Sequence, residues 1–159
     1  MPVRKANLSI YLVAVLLLSA CKTAPDIPMP ADQLKALQAS YPIAAFQGFE
    51  PYSDGRQTID AYVNISRDGL LRASLGCAVW TAPYVLNSDR TLVVTGKFVE
   101  PDYSRHTCSD GIAKRETDLA VFLSASPKIG KWRGDGTLTI SSGRQRLLVA
   151  SVDYVLNNK

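Results

Sequence analysis

TIDAYVNISRDGLLRASL, residues 58–75, has the pattern of a β-hairpin. Over 58–66, Ile59, Ala61, Val63 and Ile65 alternate with Asp60, Tyr62 and Asn64, the period of a half-buried strand. Arg67-Asp68-Gly69 breaks the alternation with residues that tolerate the positive backbone angles of a tight turn. Residues 70–75 therefore return antiparallel to the first strand, and Gly76-Cys77 closes the second.

Outward from this hairpin the same signals recur. Residues 79–86 and 91–98 form a second candidate pair around Asn87-Ser88-Asp89-Arg90, with Pro83 restricting the first of them to an edge or a bulge. After a loop over 100–107 the spacing predicts a helix over 110–124. Ile112, Glu116, Leu119, Phe122 and Leu123 share one side of it, and Ser126-Pro127 ends it. Strands follow at 130–133, 137–141 and 144–152, joined by Gly134-Asp135-Gly136 and Ser142-Gly143. A two-residue loop at Ser142-Gly143 sets Leu138 opposite Leu147 and Thr139 opposite Arg146. On the N-terminal side, Leu34, Leu37 and Tyr41 mark a short amphipathic helix over 32–40 that stops before Pro42. Residues 43–54 mix Phe46, Phe49 and Tyr52 with Gly48 and Pro51 and read as an irregular approach to the first strand. The expected fold is mainly β (α+β): a small, strongly curved antiparallel sheet or barrel with one packed helix, about 110–124, and a short N-terminal helix.

The first thirty residues have a different character. Arg4 and Lys5 precede an uncharged run over 8–20, the layout of a signal peptide. A helix of that length rises only about 20 Å against a hydrocarbon core of roughly 30 Å, so a leader is favoured over a permanent span. Leu18-Ser19-Ala20-Cys21 resembles the lipobox of bacterial lipoproteins. That resemblance implies lipidation of Cys21 and a mature chain that begins there, with several acyl chains making attachment effectively permanent. Residues 22–30 carry Pro25, Pro28 and Pro30 and read as an extended tether. The organisation is thus a signal peptide over 1–20, a lipidated Pro-rich tether over 21–30 and one β-rich domain over 31–159. Lys22, in place of an aspartate, favours by resemblance the outer membrane, with the domain facing the periplasm.

Composition agrees with one globular domain: 159 residues, 47% hydrophobic and 20% charged. Loss of the leader removes two bases and no acid, leaving 16 basic and 14 acidic residues. So small an excess gives no argument for nucleic acid. Of three cysteines, Cys21 is the lipid acceptor, and Cys77 with Cys108 is expected as a disulfide in an oxidising compartment. Two buried free thiols are the alternative.

Gly76-Cys77, Thr107-Cys108, a helix with Glu116 and Phe122-Leu123, and Thr137-Leu138-Thr139-Ile140 together resemble the META domain, a family that includes heat-shock and envelope lipoproteins. The similarity covers roughly residues 57–152. It departs at Ala78, where the family usually has asparagine, and the approach segment has no match to the tryptophan with which many members begin. The resemblance implies a small barrel-like β fold and no catalytic residues.

The chemistry-bearing residues point the same way. His106 is the single histidine, with no triad or metal spacing around it, so neither an enzyme nor a cofactor nor a metal is expected. Four Asp-Gly steps, at Asp54, Asp68, Asp110 and Asp135, lack the repeated acids of a calcium loop and read as turns. Lys131, Arg133, Arg144 and Arg146, with Lys128 nearby, are a candidate basic interaction face for lipid phosphates or an acidic envelope protein; alternatively they keep strand edges from pairing with other molecules. Trp132, between two of these cations, is expected in the core. Two functions follow. One is a noncatalytic, membrane-anchored envelope lipoprotein acting as a protein-interaction or envelope-stress module. The other is a small barrel binding an apolar molecule or lipid, which needs a hollow interior.

Overall fold

Eight strands join into a single antiparallel sheet that curls until its two ends meet. The computed structural model describes residues 28–50, 61–101 and 108–151. Among these, helix α1 spans Ala31–Ala36 and is followed by β1 (Ser40–Phe46), β2 (Ala61–Ile65), β3 (Leu70–Leu75), β4 (Trp80–Leu86) and β5 (Leu92–Val94). Helix α2 (Asp110–Ser124) leads into β6 (Lys128–Trp132), β7 (Thr137–Ser142) and β8 (Gln145–Ala150). The strand order is β5-β4-β3-β2-β1-β8-β7-β6. At the seam Thr91 bridges Lys128, Leu92 N–H donates to Pro127 O at 2.9 Å, and Ile129 N–H donates to Arg90 O at 3.0 Å. Closure of this kind removes most of the free edge that an open sheet of short strands would expose.

Alternation decides what lies inside. Ala61, Val63 and Ile65 of β2, Leu71, Ala73 and Leu75 of β3, and Leu138, Ile140, Leu147 and Val149 of β7 and β8 are buried in one contiguous core. The 61–75 hairpin pairs as its sequence requires, Val63 opposite Ala73 and Ile65 opposite Leu71. Gly69 takes φ +80° in the turn, and Asp68 accepts from Leu70 N–H and Arg72 at 2.9 Å each.

The helices occupy opposite ends. The turns at 66–69, 87–90 and 133–136 lie at the end where β1 starts, and Leu37, just past α1, is buried in the core; Tyr41 donates to its carbonyl at 2.7 Å, and Gln38 donates to Tyr84 Oη at 3.1 Å. Burial pushes the Tyr41 phenol up to about 12, with Tyr84 adding to the shift, so it stays a neutral donor. At the other end α2 inserts Leu119, Phe122 and Leu123 into the core, and the Phe122 ring meets Phe46 at 5.6 Å between centroids.

Several expectations are corrected. Helix α1 is six residues long, not nine, and residues 40–46 of the expected helix end and irregular approach form β1, at the middle of the sheet. The alternation there is masked by a bulge between Ile43 and Ala45, which makes Tyr41, Ile43 and Phe46 the inward residues. Pro42 is tolerated because Ile65 N–H bonds Ala39 O, and ladder alternation then turns the Pro42 nitrogen away from β2, toward β8 before that pairing begins at Ile43. Strand β5 ends at Val94 rather than Phe98. Pro83 lies opposite Thr95, lacks the donor to continue the β4–β5 ladder, and accepts Thr95 N–H at 2.9 Å. The expected loop Ser142-Gly143 is Gly143-Arg144, so Leu138 faces Val149 and Ile140 faces Leu147. Gly143 supplies φ +56° at the first loop position, where such a hairpin needs it. Moving the loop by one residue moves the pairing by two, and the same side chains stay inside.

Two predictions follow from this architecture. A Cβ on Gly130 would stand 2.7 Å from the Thr139 carbonyl oxygen, whereas one on Gly134 meets nothing within 4 Å. Gly130→Ala is expected to destabilise the fold by about 1–3 kcal/mol in urea titration, with Gly134→Ala near neutral. Asp68 is lowered from 3.8 to about 2, first by its bond to Arg72 and then by Leu70 N–H. A depressed carboxyl stabilises the fold above its unfolded value and loses that contribution as pH falls through its folded value. Asp68→Asn should therefore flatten the stability profile between about pH 4 and pH 2.

Candidate functional site

Glu116 of α2 is fully buried. Its position on the apolar face, between Ile112 and Leu119, carries it to the turn that follows β3. Oε1 accepts from Leu75 N–H at 3.0 Å, Cys77 N–H at 3.0 Å and Ala78 N–H at 3.1 Å, while Oε2 accepts from Ala78 N–H at 3.2 Å. Ser74 Oγ lies 3.4 Å from Oε1 and accepts Gly76 N–H at 3.0 Å. Gly76, at φ +99°, turns the chain so that these amides converge into an anion-holding concavity. Chemically the arrangement is a satisfied buried carboxylate, which ties α2 to the barrel wall.

Cys77 lies within this turn, and Cys108 lies two residues before α2. They are joined as a disulfide with Cα atoms 5.7 Å apart, the pairing expected from the sequence. The covalent bond, from a residue just before α2, and the carboxylate, from α2 itself, thus hold the same turn.

The four basic residues do not form one cluster. Lys131 and Arg133 are exposed at the α1 end, and Arg133 N–H donates to Thr137 O at 2.8 Å at the start of β7. Arg144 and Arg146 are exposed at the α2 end, with Arg146 opposite Ser141 and Ser141 opposite Lys128. Arg133 lies beside Thr137 and Arg146 opposite Ser141, four positions along β7 or roughly 13 Å along the strand. Lys131 sits in the irregularity of β6 beyond its contact with β5, where a cation and a bulge guard a free edge.

Trp132 is not in the core. It is 44% exposed and lies over Tyr41, ring centroids 5.8 Å apart. The bulge in β6 sets Trp132 opposite Leu138 at the rim of the barrel, where it covers Tyr41 and faces solvent. Nothing in the local pattern distinguishes this from burial; the only signal is the pair of flanking cations. Arg90, expected simply as a turn residue, takes φ +70° at the seam, and its Nη1 is buried with no hydrogen-bond partner among the described residues.

Asp68 and Asp135 act as turn residues. Asp135 accepts from Thr137 N–H at 2.9 Å and from its hydroxyl at 2.6 Å, and these bonds hold its carboxyl below the usual range. Among the described residues, no three of His, Cys, Asp and Glu gather closely enough to hold a metal ion. Cys21, Asp54 and His106 lie outside the described residues. No protein-family model, curated protein or solved structure matches the chain.

Removing the Glu116 carboxylate leaves three backbone amides without their acceptor. Glu116→Ala is expected to cost about 3–5 kcal/mol, and Glu116→Gln, which keeps one acceptor oxygen, clearly less. Denaturant titration of the two variants side by side measures the difference.

Proposed function

We propose that the chain is an exported lipoprotein, held to a membrane of the cell envelope through lipid on Cys21, whose barrel is a noncatalytic module for binding a protein partner. The observation that carries this reading is the Cys77–Cys108 disulfide. Such a bond persists in oxidising compartments, the destination that the leader over 1–20 implies, so two independent parts of the chain agree on export. It would stabilise the domain by roughly 3–4 kcal/mol through the loop it closes.

The resemblance to the META domain adds to the proposal. Gly76-Cys77 and Glu116, two of its motifs, meet in one hydrogen-bonded unit, and Thr137-Leu138-Thr139-Ile140 lies in a wall strand. These roles are structural, which suits a family without catalytic residues. Phe46, Phe122, Leu119 and Leu123 are buried in the core beside the strand residues, and large side chains there favour surface binding over the alternative of a barrel hollow enough for an apolar ligand. The outer membrane, facing the periplasm, is the location we assign.

Mass spectrometry of the protein extracted from membranes tests the anchor. The expected mass is that of residues 21–159 with one disulfide, a diacylglyceryl group and an N-acyl chain, and Cys21→Ala should move the protein to the soluble fraction. An unmodified mass, or membrane retention of the variant, would sink the reading.

A further inference from the structure

We infer that the α1 end of the barrel is a membrane-docking surface, in which Trp132 enters the headgroup layer and Lys131 and Arg133 meet anionic phospholipid. The inference rests on the anchored reading above and specifies how the anchored domain is oriented.

The chain enters the barrel at this end. Met29 N–H donates to Ser88 O at 2.7 Å in the 87–90 turn, and α1 then leads to the start of β1. Cys21 is seven residues before Pro28, so even a fully extended connection spans at most about 25 Å. A lipid on Cys21 therefore keeps the α1 end within about 25 Å of the bilayer.

Trp132 stands at this same end. It is the one aromatic among the exposed large hydrophobic residues, all described residues considered, and packing on Tyr41 keeps its ring from folding into the core. An indole with an apolar body and a polar N–H suits the boundary between headgroups and acyl chains. Lys131 and Arg133 flank it, both exposed, and long cationic side chains beside such a ring reach phosphate while their stems cover apolar surface. Three acids at this end are engaged within their own hairpins: Asp68 with Arg72 and Leu70, Asp89 with Thr91, and Asp135 with Thr137; Asp32 is exposed in the first turn of α1, with Lys35 in the last turn of the same helix. Arg144 and Arg146, at the far end, take no part.

The test uses the full lipidated protein, purified from membranes and reconstituted into phosphatidylcholine vesicles with or without phosphatidylglycerol, with bromine placed near the headgroups. Trp80 is buried and serves as an internal reference. Docking predicts at least twofold stronger quenching of tryptophan emission in anionic vesicles. Trp132→Phe should abolish this quenching, and the double variant Lys131→Ser with Arg133→Ser should weaken it in anionic vesicles alone. Arg144→Ser with Arg146→Ser should leave it unchanged. Wild-type protein that floats with the vesicles but shows no Trp132-dependent quenching overturns the docking surface and leaves the anchor standing. Wild-type protein that fails to float at all overturns both.

Discussion

The carboxylate of Glu116, buried on α2 and bonded to the backbone amides of Leu75, Cys77 and Ala78, is the interaction on which the rest of the barrel depends. A turn between two wall strands has amides that the sheet cannot satisfy, and a helix that packs across the barrel end removes water from them. One acid solves both problems, provided that the helix is placed with its apolar face inward. The placement also makes Leu119, Phe122 and Leu123 part of the core. Helix position, turn geometry and core packing are therefore one coupled arrangement, and the disulfide at Cys77 restrains the same turn covalently.

The opposite end is built on different terms. Helix α1 has no buried residue of its own, and the plug is Leu37 with Tyr41, secured by hydrogen bonds from two tyrosines: Tyr41 to Leu37 O at 2.7 Å and Tyr84 to Ser66 O at 2.7 Å. Here the rim carries an exposed tryptophan between two cations, while the α2 end, where Arg144 and Arg146 are exposed, is sealed by a helix with a buried acid. The two ends are thus unlike in chemistry, and in our proposal the end where the N-terminal segment enters is the one presented to lipid.

The seam between β5 and β6 is the least regular part of the wall. One bridge and two hydrogen bonds close it, Arg90 adopts a left-handed backbone there, and beyond it β6 is guarded by Lys131 and a bulge. That arrangement supports one of the two readings of these cations, protection of a strand edge, for Lys131 in particular. It does not extend to Arg144 and Arg146, which sit beside a hairpin turn at the other end.

What the sequence determined by itself was everything that depends on near neighbours. The 61–75 hairpin, helix α2 from Asp110 to Ser124, the Asp68 and Asp135 turns and the inward residues of β7 and β8 all follow from period and turn chemistry. The Cys77–Cys108 pair followed from the compartment. Tertiary structure alone decided β1, because a bulge and Pro42 hide its alternation and its partners come from both ends of the chain, β2 and β8. It decided that Glu116 is buried, since an acid on an apolar face gains a partner only when another element supplies converging amides. It separated Lys131 and Arg133 from Arg144 and Arg146, because antiparallel register, not closeness in sequence, sets distance along a sheet. And it put Trp132 at the rim: a one-residue irregularity in β6 re-aims a side chain, and no local pattern records it.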